Sequence, residues 1–139
     1  MKACCTGSAK VLKGNKSECF MRIYVGHSKA FDFRNLLYEP LRKGLDKTHE
    51  LVFPHETDET LDSREALKSC EAMIAEVSHP SIGLGIEMGW ADSMGLPIIC
   101  AYRKGSKVSE SIRMISSNIV EYSDPEQMVL EINRILRFE

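Results

Sequence analysis

Two runs, Ala72-Met73-Ile74-Ala75-Glu76-Val77 and Pro97-Ile98-Ile99-Cys100-Ala101-Tyr102, most constrain the fold of this chain. Both are apolar at nearly every position. A strand that alternates apolar and polar residues has one wet face; these have none. They read as strands buried on both faces, the pattern of a parallel sheet covered on each side by helices. Met21-Arg22-Ile23-Tyr24-Val25-Gly26 opens a third such strand. Glu50-Leu51-Val52-Phe53 and Asn118-Ile119-Val120-Glu121-Tyr122 supply two shorter ones.

Helical patterns fill the gaps. Residues 35–45 place Leu36, Leu37, Leu41 and Leu45 near helical spacing, and shorter helices are expected over 63–69 and 109–116. Residues 82–94 form a fourth. Asp124, with Pro125 after it and Gln127 three residues on, caps a last helix that buries Met128, Val129, Ile132, Ile135 and Leu136. Strands alternating with helices predict a doubly wound α/β fold, a roughly five-stranded parallel sheet with helices on both faces. Ligands in such folds sit outside the carboxyl ends of the strands. Attention therefore falls on residues 26–31, 78–85 and 103–109.

Composition narrows the function classes. The 139 residues carry 18 basic and 20 acidic side chains, mixed along the chain, for a net charge of −2. Without a basic block, nucleic-acid binding has no electrostatic support. No apolar run approaches the roughly 20 residues of a membrane span. Residues 1–20 are small, polar and lysine-bearing, with no apolar core of a signal peptide. They are expected to be a poorly ordered extension to a single domain over 21–139. The five cysteines, Cys4, Cys5, Cys19, Cys70 and Cys100, lack zinc or disulfide-framework spacing. No metal is expected, and a reduced, cytoplasmic setting fits.

The segment with the most chemistry is Ser78-His79-Pro80-Ser81-Ile82-Gly83-Leu84-Gly85-Ile86-Glu87-Met88-Gly89. Its three helical glycines cost about 1 kcal/mol each relative to alanine. Gly83 and Gly85 therefore imply close approach by a ligand or by another helix. The dinucleotide fingerprint is not met, because Met88 stands where its third glycine would be. Glu87, one turn beyond Gly83, projects near the mouth of the sheet. A carboxylate there suits attack on a sugar-like cation, or simply favours the helix dipole.

The run Ala75 to Gly89, with its Pro-Ser-x-Gly-x-Gly-x-Glu core, resembles the signature of the nucleoside 2-deoxyribosyltransferase family. It is most similar to the branch that hydrolyses 2'-deoxynucleoside 5'-monophosphates. The resemblance extends from about Met21 to the C-terminus. It implies a Rossmann- or flavodoxin-like fold, a homodimer or higher homo-oligomer, a small nucleotide or nucleoside as partner, and no cofactor.

The resemblance also implies site roles. Glu87 matches the nucleophile that forms a glycosyl-enzyme intermediate, discharged by water or by a second base. Tyr24 matches a tyrosine that orients it. Ser81 stands where the monophosphate hydrolases carry serine and the transferases an acidic residue. Its hydroxyl accepts a phosphate nearby, where a carboxylate repels it; it also reads as a plain helix N-cap. Gly26, His27, Ser28 and Lys29 match a phosphate loop. Ser109 and Ser111 lie near a serine that reaches the phosphate of a neighbouring subunit. One departure stands out. The family's leaving-group aspartate falls, without gaps, on Ser63, and a shift of one residue makes Asp62 the acid. Asp58, Glu59 and Glu65 are close by.

Other polar groups carry weaker signals. His55 is a polar candidate or a loop histidine, and Glu76 a second carboxylate or a structural one. Trp90 and Met94 serve a core or a dimer contact. The expected function is cleavage of an N-glycosidic bond, by hydrolysis or by transfer. The alternatives are a nucleotide-binding sensor or toxin–antitoxin-type partner without turnover, and a phosphoribohydrolase of the cytokinin-activating type. The last is disfavoured because its Pro-Gly-Gly-x-Gly-Thr run is missing.

Overall fold

A computed structural model describes residues 10–11 and 19–138. Strands β1 (Lys10–Val11) and β2 (Cys19–Phe20) pair antiparallel as a small ribbon. The rest of the expected extension lies outside the described residues. The domain follows as β3 (Arg22–His27), α1 (Glu39–Leu45), β4 (Glu50–Val52), α2 (Ser63–Lys68), β5 (Ala72–Glu76), α3 (Ile82–Ser93), β6 (Ile98–Arg103), β7 (Asn118–Tyr122) and α4 (Pro125–Phe138). All five strands of the main sheet run parallel, in the order β4-β3-β5-β6-β7. Numbered from the first of these five, that order is 2-1-3-4-5, the flavodoxin-like winding, whose ligand crevice opens between its first and third strands. Those strands are β3 and β5.

Strand parity decides which side chain meets which layer. Ile23, Val25, Ile74 and Ile99 enter one core with Leu37, Leu41, Leu45, Met128 and Ile132 from the α1/α4 side. Tyr24, Met73, Ala75 and Cys100 face the other core with Leu67, Leu84, Met88 and Ala91 from the α2/α3 side. Tyr24 and Glu87 therefore share a layer because one sits at the inward parity of β3 and the other on the helix that covers it. Gly44 lets α1 close on α4: a Cβ there would collide with Val129.

Two helices differ from expectation. The one predicted over 109–116 is a single 3₁₀ turn, Glu110–Met114, capped by the Ser109 side chain. Only Ile112 of it is buried, and one anchor does not sustain a longer helix. The helix predicted from residue 35 opens as a wide π-helical turn, Arg34–Tyr38, before α1. Pro40 follows it, and a proline nitrogen cannot donate to the carbonyl four residues back. The C-terminal cap forms as read: Gln127 N–H donates to Asp124 Oδ1 at 2.8 Å, and Ser123 N–H donates to Gln127 Oε1 at 2.7 Å.

Candidate active site

Ser81 begins α3. Its extended backbone ends the approach from β5, and its Oγ accepts from Leu84 N–H at 3.3 Å. This cap sets the helix phase. Gly83 and Glu87, four residues apart, then share a face. That face borders a cavity of about 470 Å³ whose lining includes His27, Ser28 and Lys29 from the end of β3, together with His55, Ser81, Gly83 and Glu87. The cavity stands over the carboxyl ends of β3 and β5, at the expected crevice.

Glu87 is held on one side only. Tyr24 Oη donates to its Oε2 at 2.7 Å. The same phenol oxygen lies 3.0 Å from Ser63 Oγ. A phenol has one proton, so with Glu87 receiving it the Ser63 hydroxyl donates to Tyr24. Burial is the main force raising the Tyr24 pKa far above the usual phenol range; the Ser63 hydroxyl lowers it by less, and the nearby Glu87 charge raises it further. Tyr24 is thus a fixed donor. Glu87 Oε1 makes no hydrogen bond among the described residues. It packs against Gly26: a Cβ built there would stand 3.5 Å from Oε1, 3.1 Å from Leu84 Cδ1 and 2.5 Å from Met73 Cε. Gly26, expected to touch substrate, instead gives the carboxylate room.

His27 corrects the sequence reading more strongly. Its Nδ1 faces the Ser28 carbonyl at 2.8 Å, and a carbonyl only accepts, so Nδ1 carries the proton. Its Nε2 then accepts from Tyr38 Oη at 2.6 Å, and Tyr38 Oη accepts from His55 N–H at 3.0 Å. Both ring nitrogens are spent inside the fold, and none is left to donate to a phosphate. Burial, chiefly, drops the His27 pKa from 6.5 to about 4, keeping the ring neutral. Ser28 Oγ accepts from Ala30 N–H at 3.0 Å, shaping the turn that presents Lys29 to the cavity.

His55 stands where this cavity meets a second one of about 410 Å³, lined also by Lys29, Phe33, Arg34, Asp58, Glu59 and Ser63. Arg34 donates to the His55 carbonyl at 3.1 Å, so the His55 backbone is pinned at both its N–H and its C=O. Burial and then Lys29 lower the pKa of the ring, against a smaller opposing pull from Glu87. Asp62 does not enter either lining. It is exposed, and its carboxylate caps α2 by accepting from Glu65 N–H at 3.2 Å. The gapless position, Ser63, is the one that reaches the Tyr24–Glu87 pair. The sequence marked Ser63 only as a missing acid; its service to Tyr24 had no signal there.

The remaining candidates fall on the far side of α3. Gly85, Ser109 and Ser111 line another, largely apolar cleft of about 420 Å³ with Val77, Met88 and Ile112, which shares Pro80, Ser81 and Leu84 with the Glu87 cavity. Gly85, two residues from Gly83, points away from Glu87, so within one chain it does not serve the same cavity. A Cβ at Gly85 or Gly89 would meet nothing within 4 Å, and one at Gly83 only Ser81 Oγ at 3.9 Å. Packing within the chain therefore does not require these glycines. Glu76 is structural: 1% exposed, it accepts from Ser78 N–H at 2.7 Å, from Ser78 Oγ at 2.9 Å and from Tyr122 Oη. Trp90 packs in the α2/α3 layer with Arg64 against its ring. Cys70 and Cys100 are buried free thiols. Among the described residues no helix is long and apolar enough to cross a membrane, and no cluster of ligating side chains is arranged for a metal.

Fold and site together define a class: a flavodoxin-wound α/β domain with a tyrosine-held glutamate at its topological switch point. Known proteins sharpen that class. A Methanococcoides burtonii protein with the provisional name 2'-deoxynucleoside 5'-phosphate N-hydrolase 1 is 35% identical, over 46% of this chain and 64% of its own. The Mus musculus 5-hydroxymethyl-dUMP N-hydrolase is 41% identical, over 34% of this chain and 28% of its own. The chain thus spans less than two thirds of the length of either. Among solved structures, the Clostridium botulinum CMP N-glycosidase superposes with a TM-score of 0.61 at 22% identity, covering 81% of this chain and 98% of that one. A flavodoxin-like domain from Synechococcus superposes at 0.51 with 14% identity, covering 82% and 97%, which bears out the winding. No family model matches the chain. The resemblance to the nucleoside 2-deoxyribosyltransferase family, on the side of its monophosphate N-hydrolases, is borne out by these relatives.

Proposed function

We propose that this protein hydrolyses the N-glycosidic bond of nucleoside 5'-monophosphates, with Glu87 as nucleophile. The observation that carries the reading is the asymmetry of the Glu87 carboxylate. Tyr24 holds Oε2, while Oε1 lies unbonded in a carboxylate that lines a cavity between the β3 loop and the α3 N-terminus. Oε1 attacks the anomeric carbon, the base departs, and water then discharges the glycosyl ester. The phosphate sits against Lys29, the Ser81 hydroxyl and the first turn of α3, where a cation and the helix dipole both favour an anion.

Oligomerisation completes this reading. Ile82 (86% exposed) lines the apolar cleft behind α3, and Met114 (85% exposed) lies between Ile112 and Ile115 of the same lining in sequence. A second copy packed there covers them. It also carries Ser109 and Ser111, which line that cleft, towards a neighbour's phosphate.

The test is base release from a panel of ribo- and deoxyribonucleoside 5'-monophosphates, separated by chromatography. Release by the wild type and none by Glu87→Gln is the expected result. No release from any of them, at high enzyme concentration, sinks the proposal. A thermal shift with nucleotide in that case favours the binding module, a reading that Ser63 in place of an acid supports.

A further inference from the structure

Strands β3 and β5 part beyond their last paired rung, His27 against Glu76, and the Glu87 cavity opens between the loops that follow them. The two side chains assigned to the phosphate stand on opposite lips of this gap. Lys29 follows β3, and Ser81 leads into α3. Each lip is shaped locally. On the first, Ser28 Oγ accepts from Ala30 N–H, and the Phe31 carbonyl accepts from Phe33 N–H at 2.8 Å. On the second, Ser78 is tied to Glu76 and to Arg103 N–H, and Ser81 caps α3. None of these bonds crosses the gap, so none of them fixes the distance from Lys29 to Ser81. Two rings do cross it. Phe31 and His79 stack with centroids 5.2 Å apart and planes 21° from parallel. Phe31 lies two residues past Lys29, and His79 two residues before Ser81. Phe31 is the anchored member: it packs against the α1/α4 core and meets the His27 ring edge-on at 6.2 Å. The His79 side chain makes no hydrogen bond among the described residues, so the stack is its tie to the opposite lip.

We propose that Phe31 and His79 are positioning residues, whose stack sets the spacing of Lys29 and Ser81 and thereby the grip on a 5'-phosphate. The proposal rests on the assignment of the phosphate to those two groups. Neither ring touches substrate in it. Loss of either ring leaves both phosphate contacts in the chain but frees the gap between them. Ordering the two lips then falls to the binding step, and affinity drops by that cost. The sugar meets Glu87 on the floor of the cavity, and its contacts do not pass through the stack.

The test uses Glu87→Gln as the parent, so that binding is read without cleavage. Calorimetry gives Kd for cytidine and for 2'-deoxyguanosine, each with and without its 5'-phosphate. His79→Ala and Phe31→Leu are each expected to weaken binding of the monophosphates about three- to tenfold and to leave the nucleosides within about twofold. His79→Phe, which keeps a ring for the stack, stays within about twofold of the parent. Combining His79→Ala with Phe31→Leu costs no more than either alone. Equal weakening of nucleoside and monophosphate overturns the proposal. So do a His79→Phe as weak as His79→Ala, losses that add in the double variant, or ring variants that bind like the parent. Lys29→Ala tests the assignment underneath and must weaken the monophosphates selectively. If it does and the ring variants do not, the stack loses its role and the phosphate site stands. If Lys29→Ala has no selective effect, or neither monophosphate binds, both fall.

Discussion

Two carboxylates stand at the mouth of the same sheet, each held by a tyrosine, and they do opposite work. Glu76, at the end of β5, receives three hydrogen bonds, from Ser78 N–H, Ser78 Oγ and Tyr122 Oη. Ser78 Oγ in turn accepts from Arg103 N–H at 2.7 Å, which ties the β5 and β6 ends together. Glu87, on α3, receives one bond, from Tyr24. A carboxylate whose lone pairs are filled by its own chain fixes the backbone and has nothing left to offer. A carboxylate held at one oxygen is oriented and keeps the other for a reaction. Satisfaction, more than position, separates the structural residue from the candidate nucleophile.

Substitutions that keep shape and change hydrogen-bonding capacity break this comparison most cleanly. The largest effect is expected from Glu87→Gln: base release falls by about 10⁴-fold or more, while the urea midpoint barely moves. Glu76→Gln is expected to do the reverse. Three donors face Glu76, and an amide puts a donor where an acceptor is needed. Chemical denaturation should show a loss of about 3 kcal/mol, with activity per folded molecule kept.

A third test uses pH. His27, unfolded, titrates near 6.5; folded, it titrates at about 4. As pH falls from 6.5 towards 4 the unfolded chain takes a proton that the native chain refuses, so stability is lost across that window and levels off below it. Full loss amounts to about 3 kcal/mol. His55, lowered in the same direction, adds to the slope. Urea midpoints measured through this range should fall, and His27→Gln should flatten most of the fall. A gentler effect is expected of Tyr24→Phe. It removes the one donor to Glu87, and kcat should drop about tenfold to a hundredfold, ~3 kcal/mol at most, with KM little changed. An equal loss of stability and activity there would instead make Tyr24 a plain core residue.

The layered fold was legible because its signals are local. Runs such as 72–77 and 97–102 are apolar on both faces, and only a covered parallel sheet accommodates them. Glu87 and Ser81 stood out through one compact motif and Tyr24 through its match to a family tyrosine; the structure joins Tyr24 to Glu87 by a hydrogen bond. What stayed hidden depends on partners distant in sequence. His27 read as a phosphate contact because its neighbours Gly26, Ser28 and Lys29 look like a loop; Tyr38, which fills its Nε2, arrives from another element. Asp62 read as an acid because it stands one residue from the position that the family's aspartate matches, yet an Asp before a helix is first of all a cap. Gly85 shares a motif with Gly83, but the helical turn sends the two to opposite sides.

The central claim is that Glu87 Oε1 bonds to the sugar. Rapid acid quench of the protein with a cleavable nucleoside monophosphate, followed by peptide mass mapping, tests it directly. The account predicts a pentose-phosphate adduct on the peptide containing Glu87, formed as the base is released and absent from Glu87→Gln. An adduct on a different residue, or base release undiminished in Glu87→Gln, contradicts it.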